Sequence, residues 1–398
     1  MTALQMLGAN PSMRRAWLAH NTGHALDAAA DTAFTPEQVR NNIENLVGAT
    51  HVPLGIAGPI RVNGDHAQGS YYVPFATTEG TLVSTYQYGM RAITEAGGAN
   101  AHVLADSLDI TPCFVLTSAL EAITLARWLH EHLPELKQVA AQTTTHGHLV
   151  ELHTHVFGRR LFPRFVFTTG DAMGMNMVNI AVDGICRHAA EMTGCERYYL
   201  RCNYSSDKKP AGINLFRPYG KEVAIDFTLP AAVAETHLGV SPRDLVDFTA
   251  AGRYGALQAG ALGMNAHFAN GLAAIYIACG QDVAQVVNAS IGFIDIELVG
   301  KDDLYVFARL PNLVVGTVGG GTALPTQSDC LALLDCRGDG TAPRFAEIVA
   351  ATLVAGDLAI SAALANGRFI EAHRENRERS RRSIRLGDVR GDPAHDRA

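Results

Sequence analysis

The sequence lacks any Cys-x-x-Cys pair; its seven cysteines (Cys113, Cys186, Cys195, Cys202, Cys279, Cys330, Cys336) form an odd, scattered set. That argues for reduced core thiols over a disulfide frame or a zinc site, and no metal is expected. Positive charge is also short. Lys and Arg number 32 against 39 Asp and Glu, a net charge of −7, which argues against nucleic acid or an anionic membrane as the main partner. No charged-then-apolar leader is recognisable, and no apolar run is expected to reach bilayer-spanning length. The expectation is therefore a soluble, cytoplasmic protein with no membrane partner. The Gly-x-Gly-x-x-Gly fingerprint is missing, so generic Rossmann dinucleotide binding is not supported. No internal repeat is evident. What remains is an ordinary globular composition, 47% hydrophobic and 18% charged, in 398 residues, enough for two or three domains.

The pattern along the chain is mixed. Residues 1–45 read as a small helical lead-in, with a helix start at Thr35-Pro36-Glu37-Gln38. Short apolar pieces cut by Gly and Pro follow over 44–64. An apolar strand ending at Ala76 leads into Thr77-Thr78-Glu79-Gly80, and a helix runs to Ala96, stopped by Gly97-Gly98. Residues 113–206 predict a strand (113–118), a helix (120–133), two strands (148–157 and 161–169), a helix (173–192) and a strand (198–203). In that second helix Met177, Ile180, Ala181, Gly184 and Ile185 share a face. Strand-helix-strand-strand-helix-strand is the ferredoxin-like, split βαβ arrangement. Beyond it, a helix of small residues (262–280), strands (290–299 and 313–318), a helix (327–334) and a long helix (346–373), broken near Asn366-Gly367, complete an α+β protein. The Arg-rich tail, 374–398, is expected to be mobile.

Asp207-Lys208-Lys209-Pro210 is the most informative stretch. Two adjacent ammonium groups after an apolar strand cost free energy to desolvate. A cation held at the edge of a core by a neighbouring carboxylate, here Asp207, suits a developing oxyanion; the plain alternative is a solvated loop. Glu79, at a strand-to-helix junction among hydroxyls, can be desolvated toward use as a proton donor, or can simply open a helix. Asp282 follows an apolar helix and Gly280, either pointing inward or capping a helix. Gly170-Asp171-Ala172-Met173-Gly174-Met175-Asn176-Met177 turns a strand into a helix whose amides can meet a pyrophosphate. Gly316-Thr317-Val318-Gly319-Gly320-Gly321 offers a second loop of amides for anionic groups. His373, beyond Gly367, can close over a site as a proton donor or stand exposed.

Together these stretches resemble the hydroxymethylglutaryl-CoA reductase family, and its first class in particular. The match includes Glu44–Gly48, Pro53–Pro59, Pro74–Gly80, Asp171–Met177, Asp207–Asn214, Asn265–Asp282 and Gly316–Thr322. The resemblance implies a helical N-terminal part (1–46), a large catalytic domain (47–111 and 207–373) and a ferredoxin-like nicotinamide domain (112–206) inserted into it. It implies a homodimer, with Glu79, Lys208, Asp282 and His373 as catalytic residues acting on an acyl-CoA. Lys208 would stabilise the thioester oxygen, Glu79 supply protons, Asp282 hold Lys208, and His373 protonate the CoA thiolate. Asp207, Lys209 and Asn270 would contact substrate. Asp171, Met173, Gly174, Met175, Asn176, Gly319, Gly320 and Gly321 would lie at the cofactor.

Several positions depart from the family. Its Asp-Gly-Met-Thr-Arg reads Asp106-Ser107-Leu108-Asp109-Ile110, so a substrate-contacting Arg becomes Ile110. A carboxylate-binding Lys falls at Ala250 and a Ser at Arg201. Arg201 and Arg253, with Lys209, are therefore expected to hold the substrate carboxylate; a different acyl group is the alternative. The family's Ser-Thr-Asn-Arg becomes Thr85-Tyr86-Gln87-Tyr88, which loses a CoA-phosphate Arg and leaves a carrier-protein or pantetheine thioester open. The Ser-Arg pair for the NADPH 2′-phosphate becomes Thr144-Thr145, so NADH is expected to serve at least as well as NADPH, with His146 and His148 as partial substitutes. A non-catalytic relative keeping the fold is the third reading.

Overall fold

The computed structural model describes residues 10–144 and 146–367. The strands are β1 (Leu54–Gly64), β2 (Gln68–Ala76), β3 (Ala99–Ile110), β4 (Cys113–Val115), β5 (His148–Phe157), β6 (Arg160–Thr168), β7 (Tyr198–Tyr199), β8 (Gly220–Leu229), β9 (Phe293–Val299) and β10 (Asp303–Leu313). The main helices are α1 (Pro11–Thr22), α2 (Leu82–Glu95), α3 (Ala119–Glu131), α4 (Leu133–Ala141), α5 (Met175–Thr193), α6 (Pro242–Ala259), α7 (Phe268–Ala278), α8 (Pro325–Leu333) and α9 (Ala342–Ala365). The strands run in the order β7-β4-β6-β3-β8-β10-β9, with β1 and β2 joined at β3 and β5 at β6. Every strand pairing is antiparallel except β1 with β3, and helices accompany the sheet, which makes the protein α+β.

β3 belongs to two sheets. Residues Asn100 to Ser107 pair antiparallel with β8, and Leu108 to Ile110 pair antiparallel with β6. On the β6 side a self-contained apolar cluster forms from Phe114, Leu125, Leu129, Leu161, Phe165, Val178, Ala181, Val182 and Ile185. On the β8 side a larger cluster gathers around α9. The approach of α2 to α9 depends on missing side chains: a Cβ on Gly89 would lie 1.8 Å from the Ala355 carbonyl oxygen.

α9 corrects one expectation. Its most apolar window has mean hydropathy 2.0, long and apolar enough to cross a membrane by composition, but 78% of that window is buried inside the protein. It serves as the core helix. Its two buried acids each hold a loop. Glu347 accepts from the backbone amides of Asp65, His66 and Ala67 at 3.2, 2.9 and 2.6 Å, fixing the β1–β2 turn. Asp357 accepts from the amides of Ala266 and His267.

Other boundaries also shift. Thr35 does cap a helix with Gln38 in a reciprocal capping box, though the helix is one turn, Pro36–Val39. The helix expected over 262–280 is only α7, because 260–267 is occupied by turns that position Asn265. α6 was not foreseen: only Pro242 and Leu245 are buried along it, so no apolar stripe marks it. Residues 314–318 leave the sheet after Leu313, and β7 stops at Tyr199. On α5, Ile180 faces out, 58% exposed; the buried stripe is Val178, Ala181, Val182, Ile185 and Ala189. All seven cysteines are free thiols.

Candidate active site

The Lys208 loop is built from the inside outward. Asp207, 5% exposed, accepts from Gln285 Nε2 at 2.7 Å and from Arg201 Nη2 at 2.5 Å. Asn288, fully buried, donates to the Ser206 carbonyl at 2.7 Å, and Ser205 Oγ accepts from the Thr111 amide at 2.7 Å. This buried network forces the next residue outward: Lys208 takes φ 55°, a left-handed conformation that a non-glycine residue adopts only where its surroundings impose it. Its Nζ then meets Asp282 Oδ2 at 2.6 Å, with the two side chains 41% and 29% exposed. The acid on Lys208 is therefore Asp282, not Asp207, whose carboxylate is used up by Arg201 and Gln285. Asp282 stays part-exposed and takes the capping role its position allows, since its Oδ1 accepts from the Ala284 amide at 3.1 Å.

Glu79 precedes α2 and is exposed, so the desolvation expected of it is not found in the single chain. Its two oxygens accept from Asn270 Nδ2 at 3.1 and 2.9 Å. Asn270 lies in the first turn of α7 and Asp282 just beyond its last, so one helix carries both pairs. Among the described residues no hydrogen bond or ion pair joins Glu79 to Lys208. His373 lies outside the described residues.

The two glycine loops meet. The Asp171 carbonyl accepts from the Thr317 and Val318 amides at 2.8 and 3.3 Å, and Ala172 bridges Val318. A Cβ on Gly316 would lie 2.6 Å from the Met173 nitrogen, so the loops touch only because that side chain is missing. The Asp171 carboxylate accepts from the Gly340 and Ala342 amides at 2.7 and 3.0 Å, which makes it the tie between loop and α9. Gln281, beside Asp282, holds Gly316 at both its amide and its carbonyl (2.8 and 2.9 Å). Under the first loop, Lys221, 2% exposed, bonds the Gly170 carbonyl at 3.0 Å and Asp106 at 3.1 Å. Gly174 turns at φ 88° into α5, whose first amides receive no side-chain cap; Met175 is buried against Tyr219 and Asn176 is exposed. Gly319 and Gly320 stand in open space. Thr144 Oγ accepts from the His146 and Gly147 amides, 3.1 and 3.2 Å, closing its own loop; Thr145 lies outside the described residues.

The substitute cations are already engaged. Arg253 pairs with Asp295 on β9, and Arg201 with Asp207 and Asn179. Ile110 is fully buried in the smaller core. Lys209 bonds the Asp207 carbonyl at 2.9 Å and forms no ion pair among the described residues. Gln87 replaces the family Asn by gripping Gly58 through both its amide and its carbonyl (2.9 Å each), and Tyr88 projects outward. Gln281, Gln285, Asn288, Lys221 and Asp357 were missed from the sequence. Their one shared signal is a polar residue inside an apolar stretch.

Comparison with known proteins agrees with this architecture. The family model for hydroxymethylglutaryl-coenzyme A reductase matches residues 10–378. A 3-hydroxy-3-methylglutaryl-coenzyme A reductase of Methanothermobacter thermautotrophicus is 41% identical over 366 residues, covering 91% of this chain and 92% of that protein. One from Aeropyrum pernix is 43% identical over 371 residues, covering 91% and 88%. The Xenopus laevis enzyme is 38% identical, covering 87% of this chain and 40% of its own length. A class II reductase of Streptococcus pneumoniae, solved bound to NADPH in open conformations, superposes with a TM-score of 0.68 at 20% identity, covering 91% of this chain and 96% of that one, a likeness of fold. The chain belongs to the hydroxymethylglutaryl-coenzyme A reductase family.

Proposed function

We propose that this oxidoreductase carries out the four-electron reduction of 3-hydroxy-3-methylglutaryl-CoA to mevalonate and free CoA. The observation that carries the proposal is the Lys208–Asp282 pair, 2.6 Å long and open to solvent, beside two interlocked glycine loops. A reduced nicotinamide, when bound, supplies the hydride, and two are consumed in turn. Lys208 stabilises the carbonyl oxygen as negative charge collects there. Asp282 holds that ammonium in place. Glu79 supplies a proton to the reduced oxygen. The hemithioacetal then releases CoA as thiolate, which His373 protonates, and the aldehyde is reduced and protonated to the alcohol.

Residues 112–206 act as a ferredoxin-like cofactor domain between two parts of a large domain (47–111 and 207–373), after a helical part (1–46). The strand order β7-β4-β6-β5, antiparallel throughout, and the separate apolar cluster support this. The uncapped start of α5 and the open Gly319 and Gly320 fit a pyrophosphate. NADH serves at least as well as NADPH, because Thr144 spends its hydroxyl oxygen on its own loop and Thr145 stands in sequence where the family has its Arg. A homodimer completes the site: Glu79 is exposed in one chain, and α6 presents Tyr254 and Leu257, 70% and 63% exposed. Seven free thiols fit a cytoplasmic enzyme.

One observation favours the same chemistry on another acyl-CoA. Arg201 and Arg253 are both neutralised within the chain, leaving Lys209 to meet a distal carboxylate. An acyl-CoA panel assayed with each reduced nicotinamide tests all of this. Alcohol from hydroxymethylglutaryl-CoA, with kcat/KM for NADH equal to or above that for NADPH, is expected. Turnover of another acyl-CoA alone overturns the substrate, and strong NADPH preference overturns the cofactor choice.

A further inference from the structure

α9 is an apolar core helix, yet Asp357 sits in it 2% exposed. A buried carboxylate is costly unless its bonds repay the lost hydration. Its Oδ1 accepts from the Ala266 amide at 2.7 Å and the His267 amide at 3.0 Å, the residues that immediately precede α7. The His267 carbonyl in turn accepts from the Asn270 amide at 3.1 Å, and Asn270 Nδ2 clamps both oxygens of Glu79. The chain of contact runs from the core acid through one turn of backbone to the exposed acid.

We propose that Asp357 is a positioning residue for Glu79, fixing the turn from which α7 presents Asn270. This rests on the proposed role of Glu79 as proton supplier. Titratable groups reach the surroundings of Asp357 from three of the elements packed on α9. From the turn before α7 comes His267, whose ring pKa is lowered by burial. From α2 comes Tyr86, pushed well up by burial and then by the charge of Asp357. Arg253 from α6 lines the same cavity of about 130 Å³ and is neutralised by Asp295 of β9. Glu79 adds negative charge to His267 and Tyr86. Among the described residues no cation is paired with Asp357, and burial raises its pKa to about 6. Its ionised, strongly accepting form therefore predominates only above that pH.

The test uses the full-length protein with hydroxymethylglutaryl-CoA and reduced nicotinamide, comparing Glu79→Gln, Asp357→Asn, Asp357→Leu and the Glu79→Gln/Asp357→Asn double variant. Asp357→Asn keeps an acceptor oxygen and the shape but not the charge. It is expected to lower kcat at pH 8 about tenfold, in the range of general acid–base effects. The nicotinamide KM should stay within about twofold and the rise of kcat through pH 6 should flatten. In the double variant the losses should not add, because both substitutions disable one unit. Asp357→Leu should lose more activity; if it fails to fold, Asp357→Asn decides. Asp357→Asn with the wild-type kcat and pH profile, or additive losses, overturns the positioning role while Glu79 stands. Full turnover by Glu79→Gln removes the role of Glu79 and the positioning proposal with it.

Discussion

The two halves of the candidate site are held in different ways. Lys208 rises from a loop whose neighbours are buried: Asp207, Ser206, Gln285 and Asn288 bond one another beneath it. Glu79 stands exposed; among the described residues its carboxylate is held by Asn270, whose own position depends on Asp357. A cation that must wait ready for negative charge gains from a rigid base, since reorganisation at the moment of reaction costs rate. A group that passes protons needs solvent or a partner on one side. Rigidity and exposure are divided between the pairs at the two ends of α7.

The sharpest way to break the comparison is Lys208→Met. Removing a preorganised stabiliser of the developing oxyanion should cost about 10²–10³-fold or more in kcat, with unchanged circular dichroism. A folded variant with wild-type turnover would remove the cation from the mechanism. Stability against pH comes next. Asp357 is raised from 3.8 to about 6, so the native state holds a proton that the unfolded chain has lost between those values. Stability from this group is therefore full below pH 3.8 and falls by about 3 kcal/mol as pH rises from there through 6, about 1.4 kcal/mol of it above pH 5. Asp357→Asn should flatten that slope in denaturant titrations at pH 5 and 8. An unchanged slope would show that the carboxyl titrates normally. The smallest effect is expected for Asn270→Ala: about a tenfold loss of turnover, with stability altered by less than about 0.5 kcal/mol because both partners sit near the surface. A large drop in melting temperature would make Asn270 a structural residue instead.

Much of the fold was legible where periodicity and glycine punctuation agree. Between β4 and β7 all elements but α4 follow in type and order, from the short apolar runs of β5 and β6 and a buried stripe on α5. α4 was hidden because Pro134 reads as a break, although proline is well suited to the first turn that it occupies. Residues 314–318 read as strand because buried loops share the apolar composition of strands. Lys208, Glu79 and Asp282 could be named, and the resemblance pairs Asp282 with Lys208, but the partners of Arg201 and Arg253 could not be read. Asp295 lies 42 residues from Arg253, and nothing local links them. Arg201 and Arg253 thus looked available when both are neutralised. Asp357 left a trace that went unused, a single acid in a run such as Val354-Ala355-Gly356-Asp357-Leu358.

β3 carries a mechanical consequence. One ribbon is hydrogen-bonded to β8 for most of its length and to β6 for its final residues. A rotation of the smaller lobe cannot slide past the larger one; it must twist that shared ribbon near Ser107. Any movement of one apolar cluster against the other would then store elastic energy in a strand instead of relaxing through a slack connector.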